Sequence, residues 1–400
     1  MFPGSVFMRA VPAYLQLGFA TAAFGSFVCA MSAARNLSTL YALRFLVGVG
    51  QAFVQISGLY LTLWYTRREV AFRGAIIFSS ATLAGAFSGL IAYAVGDTLT
   101  VGNSGRAPWQ WLFLIEGVIA IAFGLVAAAL LPRYPDRLQH TKHWLFSQAE
   151  IQLVLERTAA WNTKGAKTSW RQVWTTLTDP KSYSFALLNS ATGLTLSTTG
   201  VFLPTFIKQL GYSDVNAQLF SVIPYAFAFA AMLTISYISD KLNLKGPFMV
   251  CGFAMSATGY IVLLTDHTAL AGMVAACLII SGTYTSIVLG VAWLGINNAG
   301  FTKRASTWAL AEVFAQAFAI MGIQLYGKGS PRFITGHSTV LAFQVLAIIV
   351  AVAMMIAFRH LNRKRDRILE EYAARGEAHP HLERTLEEEC DFHVNFRYTL

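Results

Sequence analysis

Charged side chains are scarce in this chain. Asp, Glu, Lys and Arg make up 12% of its residues, whereas they make up roughly a quarter of an ordinary soluble domain. Hydrophobic residues make up 55%, and the mean hydropathy is +0.52. A chain of this composition is surrounded mostly by lipid, so the sequence predicts an integral membrane protein with the lipid bilayer as a partner.

Cysteine is also rare, with four residues in 400. Cys29, Cys251 and Cys277 fall in apolar stretches and Cys390 in the C-terminal tail, with no spacing typical of a metal site or a disulfide framework. The sequence has no clustered His or Cys with ligand spacing, and no set of Ser, His and acid stands out. We therefore predict no metal ion, no cofactor, no catalytic residue and no enzymatic activity.

Ten apolar stretches are long enough to cross a hydrocarbon core about 30 Å thick, which takes about 20 helical residues. Four lie before one long loop and six after it, near 13–34, 39–63, 74–95, 110–131, 183–206, 217–237, 247–265, 270–293, 305–326 and 338–358. The predicted domains are an N-terminal bundle over 1–131, a cytosolic central loop over 132–182, a C-terminal six-helix bundle over 183–358 and a cytosolic tail over 359–400.

The basic residues follow the membrane topology. If residue 1 is cytosolic and the spans alternate in direction, most of the 30 Lys and Arg residues fall on the cytosolic side. This bias is what the positive-inside rule predicts, so we expect both termini to be cytosolic. The formal net charge of +10 is thereby explained by topology, and we predict no nucleic-acid partner.

The central loop carries a helix-start signal. Ser147 and Glu150 have the spacing of a capping box and stand directly before the apolar residues Ile151, Leu153 and Leu155. This pattern predicts a short amphipathic surface helix within the loop.

The second predicted span contains Leu40-x-x-x-Arg44-x-x-x-Gly48-x-Gly50-x-Ala52. This motif resembles the fourth-helix motif of the major facilitator superfamily. More specific runs at 111–117, 202–213, 217–226, 298–305 and 395–400 resemble the fungal anion:cation symporter family, the allantoate and nicotinate permease group.

The resemblance implies an all-α membrane protein with the major facilitator superfamily fold. In register with the family, the first span here corresponds to its third helix, so the sequence looks like a carrier that lacks the first two helices. The resemblance also implies secondary active transport of a small organic anion by alternating access. Nicotinate, allantoate or pantothenate would be typical substrates, with a proton as the co-transported cation, and a monomer in the plasma membrane is expected.

Arg44 is the strongest candidate for contact with the substrate or the coupling ion. An Arg inside a span costs at least about 2.5 to 3.5 kcal/mol on insertion scales, and a guanidinium can bind a carboxylate through two hydrogen bonds. The alternative is a structural ion pair with Glu116, which is predicted at a similar depth in the fourth span.

Proton coupling is expected at an unusual place. Many relatives carry an acid where this chain has Gln51, which cannot titrate, so coupling by the usual route is in question or has moved to Glu116 or Glu312. Glu312 lies in the ninth span, facing either the cavity or the periphery. Asn189 and Thr192 belong to the polar fifth span and are expected to line the cavity, although Thr also bonds its own backbone in helices.

Ser239-Asp240-Lys241 stands between two predicted spans, in the position of a superfamily loop motif. Asp240 and Lys241 are predicted to bridge helix ends as a conformational latch, the alternative being a solvated turn. A non-transporting membrane sensor, or the inactive product of a shortened gene, is the alternative to a transporter.

Overall fold

A computed structural model describes residues 11–54, 60, 64–66, 69–99, 105–138, 144–158, 169–209, 214–266, 268–326, 333–377 and 379–400. Within these ranges the chain is helical and contains no strand. Parts of the central loop, 139–143 and 159–168, lie outside the description, as do 55–59 and 61–63 of the second predicted span. Residues 210–213 of the family-like run lie outside it too.

The helices follow the predicted spans in order. They are α1 (Ala13–Met31), α2 (Leu37–Val54), α3 (Val70–Thr98), α4 (Pro108–Leu130), α5 (Pro135–Leu138), α6 (Gln148–Thr158), α7 (Trp170–Thr178), α8 (Pro180–Gln209), α9 (Asp214–Phe220), α10 (Val222–Leu242), α11 (Gly246–Thr265), α12 (Ala269–Ile296), α13 (Phe301–Tyr326), α14 (Ile334–Ala374) and α15 (Leu386–Glu389). Two 3₁₀ turns, Pro380–Glu383 and Cys390–Phe392, flank α15.

Nine segments of the described chain are long and apolar enough to cross a membrane. Ten spans were predicted, and the difference is α8, which covers the fifth predicted span, 183–206. That helix has 30 residues, which is ample length at about 1.5 Å per residue, but Asn, Ser and Thr side chains along it lower its hydropathy. Helix α14 runs to Ala374, beyond the predicted end of the last span at 358.

The chain divides into two compact units, residues 1–64 with 87–157 and residues 65–86 with 158–400. Helix α3 contributes its residues up to Ala86 to the second unit. Val70 and Ala71 are buried in that unit's core together with Phe253, Leu289 and Trp293.

In the first unit, α1 and α4 approach until their backbones touch. A Cβ on Gly18 would lie 2.5 Å from the Cβ of Ala128, and one on Gly124 would lie 2.5 Å from the backbone nitrogen of Ala22. Small residues allow such contact between membrane helices, where close packing replaces the hydrophobic driving force.

The central loop of the first unit contains the predicted helix. Ser147 and Glu150 form the capping box, with the Ser147 backbone N–H donating to the Glu150 carboxylate at 2.8 Å and the Glu150 N–H donating to Ser147 Oγ at 3.3 Å. Ile151 and Leu155 of α6 are buried against Leu138. The helix is therefore amphipathic, as its sequence pattern indicates.

In the second unit, α11 and α12 pack closely at two glycines. A Cβ on Gly282 would lie 2.4 Å from the carbonyl oxygen of Gly252, and one on Gly252 would lie 2.5 Å from Ser286 Oγ. Helices α8 and α13 are similarly close, since a Cβ on Gly193 would lie 2.7 Å from the carbonyl oxygen of Ala315. These contacts bring the polar face of α8 against α13, where the candidate site of this unit lies.

Candidate functional site

Arg44 lies on α2 of the first unit and is exposed there. Its guanidinium carbon is 5.6 Å from the centre of the Phe113 ring on α4, which is within the range of a cation–π contact. Among the described residues, no carboxylate lies within ion-pair distance of Arg44. The guanidinium is thus held by an aromatic face and keeps its hydrogen-bond donors available for an anion.

Glu116 stands one helical turn beyond Phe113 on α4, and its carboxylate accepts a hydrogen bond from Ser88 Oγ at 2.9 Å. The structure does not bring it into an ion pair with Arg44, although the sequence left that pairing open. Gln51 lies about two helical turns after Arg44 on α2 and is exposed.

In the second unit the structure brings three predicted residues together. Asn189 Nδ2 on α8 lies 3.3 Å from Glu312 Oε1 on α13. Thr192 Oγ1 donates to the Asn189 carbonyl oxygen at 2.8 Å and lies 3.3 Å from Asn189 Oδ1. The Asn189 and Glu312 side chains are thus hydrogen-bonded, with the Thr192 hydroxyl beside them, which places the Glu312 carboxylate beside polar groups of a neighbouring helix.

A small cavity adjoins this cluster. Its volume is about 10 Å³, and Asn189, Thr192, Ser286 and Trp308 are among its lining residues, so it has room for one water molecule. Within the described part of the chain, Ser286 Oγ and Trp308 Nε1 are buried without a hydrogen-bond partner. These two atoms belong to residues that line the cavity, so a water held there could reach a polar partner.

The predicted latch has a different cation. Asp240 forms an ion pair with Lys245, whereas Lys241 is exposed. Asp240 Oδ2 also accepts a hydrogen bond from the backbone N–H of Phe72, at 2.6 Å, in the first turn of α3. Lys245, and not Lys241, pairs with Asp240 because Asn243, at φ 52°, turns the chain after α10 and directs Lys245 inward. Burial lowers the pKa of Lys245, while the Asp240 carboxylate opposes that shift.

A buried ion cluster in the second unit was not predicted. Lys303 Nζ lies 2.7 Å from Asp179 Oδ2 and 2.7 Å from Asp391 Oδ1, and Lys181 also pairs with Asp391. Burial alone would raise the pKa of Asp391, but the ammonium groups of Lys181 and Lys303 hold it at about 2. The family-like runs at 298–305 and 395–400 can be identified in the sequence. Nothing in the sequence indicates that these two segments lie next to each other in the fold.

No three His, Cys, Asp or Glu side chains lie together so as to hold a metal ion in the ranges that the structure covers. The polar groups described above are the Arg44 guanidinium, carboxylates, lysine ammonium groups, amides and hydroxyls. Such groups recognise a polar organic molecule or exchange a proton.

The chain is similar in sequence to fungal transporters. A transporter of Schizosaccharomyces pombe described as uncharacterised is 31% identical over 92% of this chain and 73% of its own length. The high-affinity nicotinic acid transporter of Saccharomyces cerevisiae is 27% identical over 94% of this chain and 70% of its own length.

Among solved structures, the proton:xylose symporter XylE superposes with a TM-score of 0.63 at 14% identity, covering 88% of this chain and 83% of its own. At that identity the likeness shows the fold alone. The sequence profile of the Major Facilitator Superfamily matches residues 10–323. The chain therefore belongs to the Major Facilitator Superfamily, as its fourth-helix motif indicated.

Proposed function

We propose that this chain is a secondary active transporter of a small organic anion and that it recognises a carboxylate. The observation that carries the proposal is Arg44, a guanidinium on a membrane-spanning helix with no carboxylate partner among the described residues. The similarity to a nicotinic acid transporter supports the same class of substrate. The named relatives are transporters, and none of them favours the alternative of a sensor or an inactive product.

The physical argument concerns the cost of the unpaired charge. A cation inside the membrane is retained where it faces water or meets an anion. A carboxylate substrate can accept two parallel N–H bonds from the guanidinium, which is a strong and directional interaction. Phe113 restrains the plane of the guanidinium from one side, so less side-chain freedom is lost when the anion binds.

Proton coupling is assigned to Glu312. Gln51 cannot titrate, and Glu312 is preferred to Glu116 because it lies beside Asn189 on the polar helix α8. The Asn189 amide donates to Glu312, and the Thr192 hydroxyl donates to the backbone carbonyl oxygen of Asn189. A carboxylate beside a neutral amide can exist in both protonation states, since Asn has both a donor and an acceptor to offer.

Alternating access requires contacts that hold one state and break in another. The Asp240 carboxylate, with Lys245 and the N–H of Phe72, is the proposed contact of this kind. We further propose that the chain works as a monomer in the plasma membrane with both termini in the cytosol, as the distribution of Lys and Arg favours.

Uptake of labelled carboxylates tests the proposal. The chain, tagged at its N-terminus, is expressed in cells with no nicotinate uptake of their own, and surface biotinylation verifies its presence. Saturable, acid-stimulated uptake of nicotinate, allantoate or pantothenate is expected, together with its loss in Arg44→Gln. Absence of saturable uptake of all three, with the protein at the surface, would contradict the proposed function.

A further inference from the structure

The chain runs along α14 away from the buried core of the second unit and then folds back onto that core. Residues 375–389 are mostly exposed, whereas Val394, Phe396 and Tyr398 are each at most 6% exposed. We propose that residues 391–400, called the strap below, hold together four helix ends of the second unit and the extension of α14, with Asp391, the first residue of the strap, as its main charged contact. This role lies beyond the proposed transport activity and does not depend on the substrate.

The backbone groups of the last two residues of the strap are bonded to two helix ends. The Leu400 carbonyl oxygen accepts from the Lys245 N–H at 2.7 Å, directly before α11. The Thr399 carbonyl oxygen accepts from Trp293 Nε1 at 2.8 Å and from Asn297 Nδ2 at 3.0 Å, at the end of α12. Asn297 Oδ1 in turn accepts from the Thr399 N–H at 2.8 Å. The Asn297 side-chain amide thus pairs with both backbone groups of Thr399, as a neighbouring strand would.

The strap also pairs with the extension of α14. Asn362 binds both backbone groups of Tyr398, donating to its carbonyl oxygen at 2.8 Å and accepting from its N–H at 2.9 Å. Arg365 donates to the Phe396 carbonyl oxygen at 2.7 Å. The rings of Phe358 and Tyr398 stack with centroids 4.6 Å apart and planes 8° apart. The strap is therefore bonded along both of its sides.

Charge holds the other end of the strap. The Asp391 carboxylate contacts Lys303, at 2.7 Å, and Lys181, and it accepts from Tyr398 Oη at 2.7 Å. The side chains of Asp391 and Lys303 are 0% exposed. Asp179 is the remaining carboxylate of this cluster, so without Asp391 two buried ammonium groups would share one anion. Such a loss is costly because a buried charge needs a partner.

Backbone strain marks the point where the strap begins. Cys390 has φ 56° and ψ −141°, a conformation that residues with a side chain seldom adopt. Gly300 allows the approach, since a Cβ there would lie 2.8 Å from Cys390 Sγ. Strained conformations persist only where surrounding contacts impose them. Loss of the strap's contacts should therefore free Cys390.

The elements joined by the strap are the start of α8 at Lys181, the start of α11 at Lys245, the end of α12, the start of α13 at Lys303, and α14. A bundle can move as one body only while its helix ends stay together. The strap should accordingly keep these elements together when the bundle moves.

The reactivity of Cys390 towards a maleimide measures docking of the strap. Cys29, Cys251 and Cys277 are replaced by Ala, so that Cys390 is the single thiol of the purified full chain in detergent. In the intact chain Cys390 is 3% exposed, and slow labelling is expected. Removal of residues 395–400 should accelerate labelling at least tenfold. Labelling that stays equally slow after this removal would overturn the proposal.

Point variants separate release of the strap from misfolding. Asp391→Asn keeps the shape of the side chain but removes its charge, and it should also accelerate labelling of Cys390. Glu370→Gln, on the exposed face of α14, should leave the rate unchanged. A single thiol at the exposed position of Glu377, in a Cys390→Ala background, gives the rate of an open site. Labelling of Cys390 in the intact chain as fast as labelling of that exposed thiol would also overturn the proposal. Because no substrate is involved, a failure of the transport hypothesis would not affect this result.

Discussion

Asn189 Nδ2 lies 3.3 Å from Glu312 Oε1, so an amide on α8 and a carboxylate on α13 meet between two adjacent helices. This contact joins a polar residue expected to line the cavity with the acid proposed for proton coupling. If Glu312 carries the proton, Glu312→Gln should lower the accumulation of nicotinate driven by a pH gradient at least tenfold.

Exchange of labelled for unlabelled nicotinate across proteoliposomes should survive in Glu312→Gln, because exchange needs no net proton movement. Uptake and exchange are measured on the same preparation, and Glu370→Gln serves as the matched control on the surface. Retention of gradient-driven accumulation in Glu312→Gln would assign coupling to another residue.

Removal of the guanidinium should weaken recognition of the anion. Each hydrogen bond to a charged group contributes about 1.5 to 3 kcal/mol, so we expect Arg44→Gln to lower kcat/KM for nicotinate by roughly 100-fold. Arg44→Lys keeps the charge but not the bidentate geometry, so its kcat/KM should lie between those of the unchanged protein and Arg44→Gln. Arg35→Gln, an exposed residue before α2, is the control, and equal losses in Arg35→Gln and Arg44→Gln would argue against a specific role.

Breaking the pair of Asp240 and Lys245 should destabilise the protein. Loss of one partner of a buried pair costs about 3 to 5 kcal/mol because the other charge stays buried. Lys245→Met should therefore lower the Tm of the purified protein by several degrees, and Lys241→Met should not change it. Similar Tm values for these two variants would mean that the exposed Lys241 contributes as much as the buried Lys245.

The strap should stay docked over the whole cytosolic pH range. The pKa of Asp391 is held at about 2, below its ordinary value near 3.8, so its contribution is fully present above pH 3.8 and is lost as the pH falls through 2. At about 1.4 kcal/mol per unit of pKa, this contribution is on the order of 2 to 3 kcal/mol.

Asp391→Asn should accordingly lower the Tm by the same amount at pH 5 and at pH 8. Thermal unfolding of both proteins at the two pH values measures this difference. A lower Tm of Asp391→Asn at pH 8 with no difference at pH 5 would contradict a pKa of about 2 for Asp391.

Close packing of α11 and α12 should make Gly282 intolerant of a methyl group. A Cβ there would lie 2.4 Å from the Gly252 carbonyl oxygen, whereas one on Gly96 would meet nothing within 4 Å. We expect Gly282→Ala to cost about 1 to 3 kcal/mol and Gly96→Ala to be neutral or stabilising by up to about 1 kcal/mol. Thermal unfolding in detergent checks both, and a stable Gly282→Ala protein would show that the two helices can separate.

Local chemistry made much of the architecture predictable. Hydropathy placed nine of the ten spans, and the tenth, α8, escapes a hydropathy criterion because of its polar side chains. The capping box at Ser147 and Glu150 predicted the start of α6, since both of its bonds connect residues three apart. The fourth-helix motif around Arg44 predicted the superfamily for a similar reason, as the motif is contiguous in the sequence.

The sequence by itself thus determined the membrane class, the order of the helices and the superfamily, because these follow from composition, periodicity and short motifs. Only the tertiary structure decided that Asp240 pairs with Lys245, that Arg44 rests on Phe113 and not on Glu116, and that Asp391 sits between two lysines. These contacts join residues from 5 to 210 positions apart. Which buried charges meet depends on how helix ends converge in space, and hydropathy carries no information about that convergence.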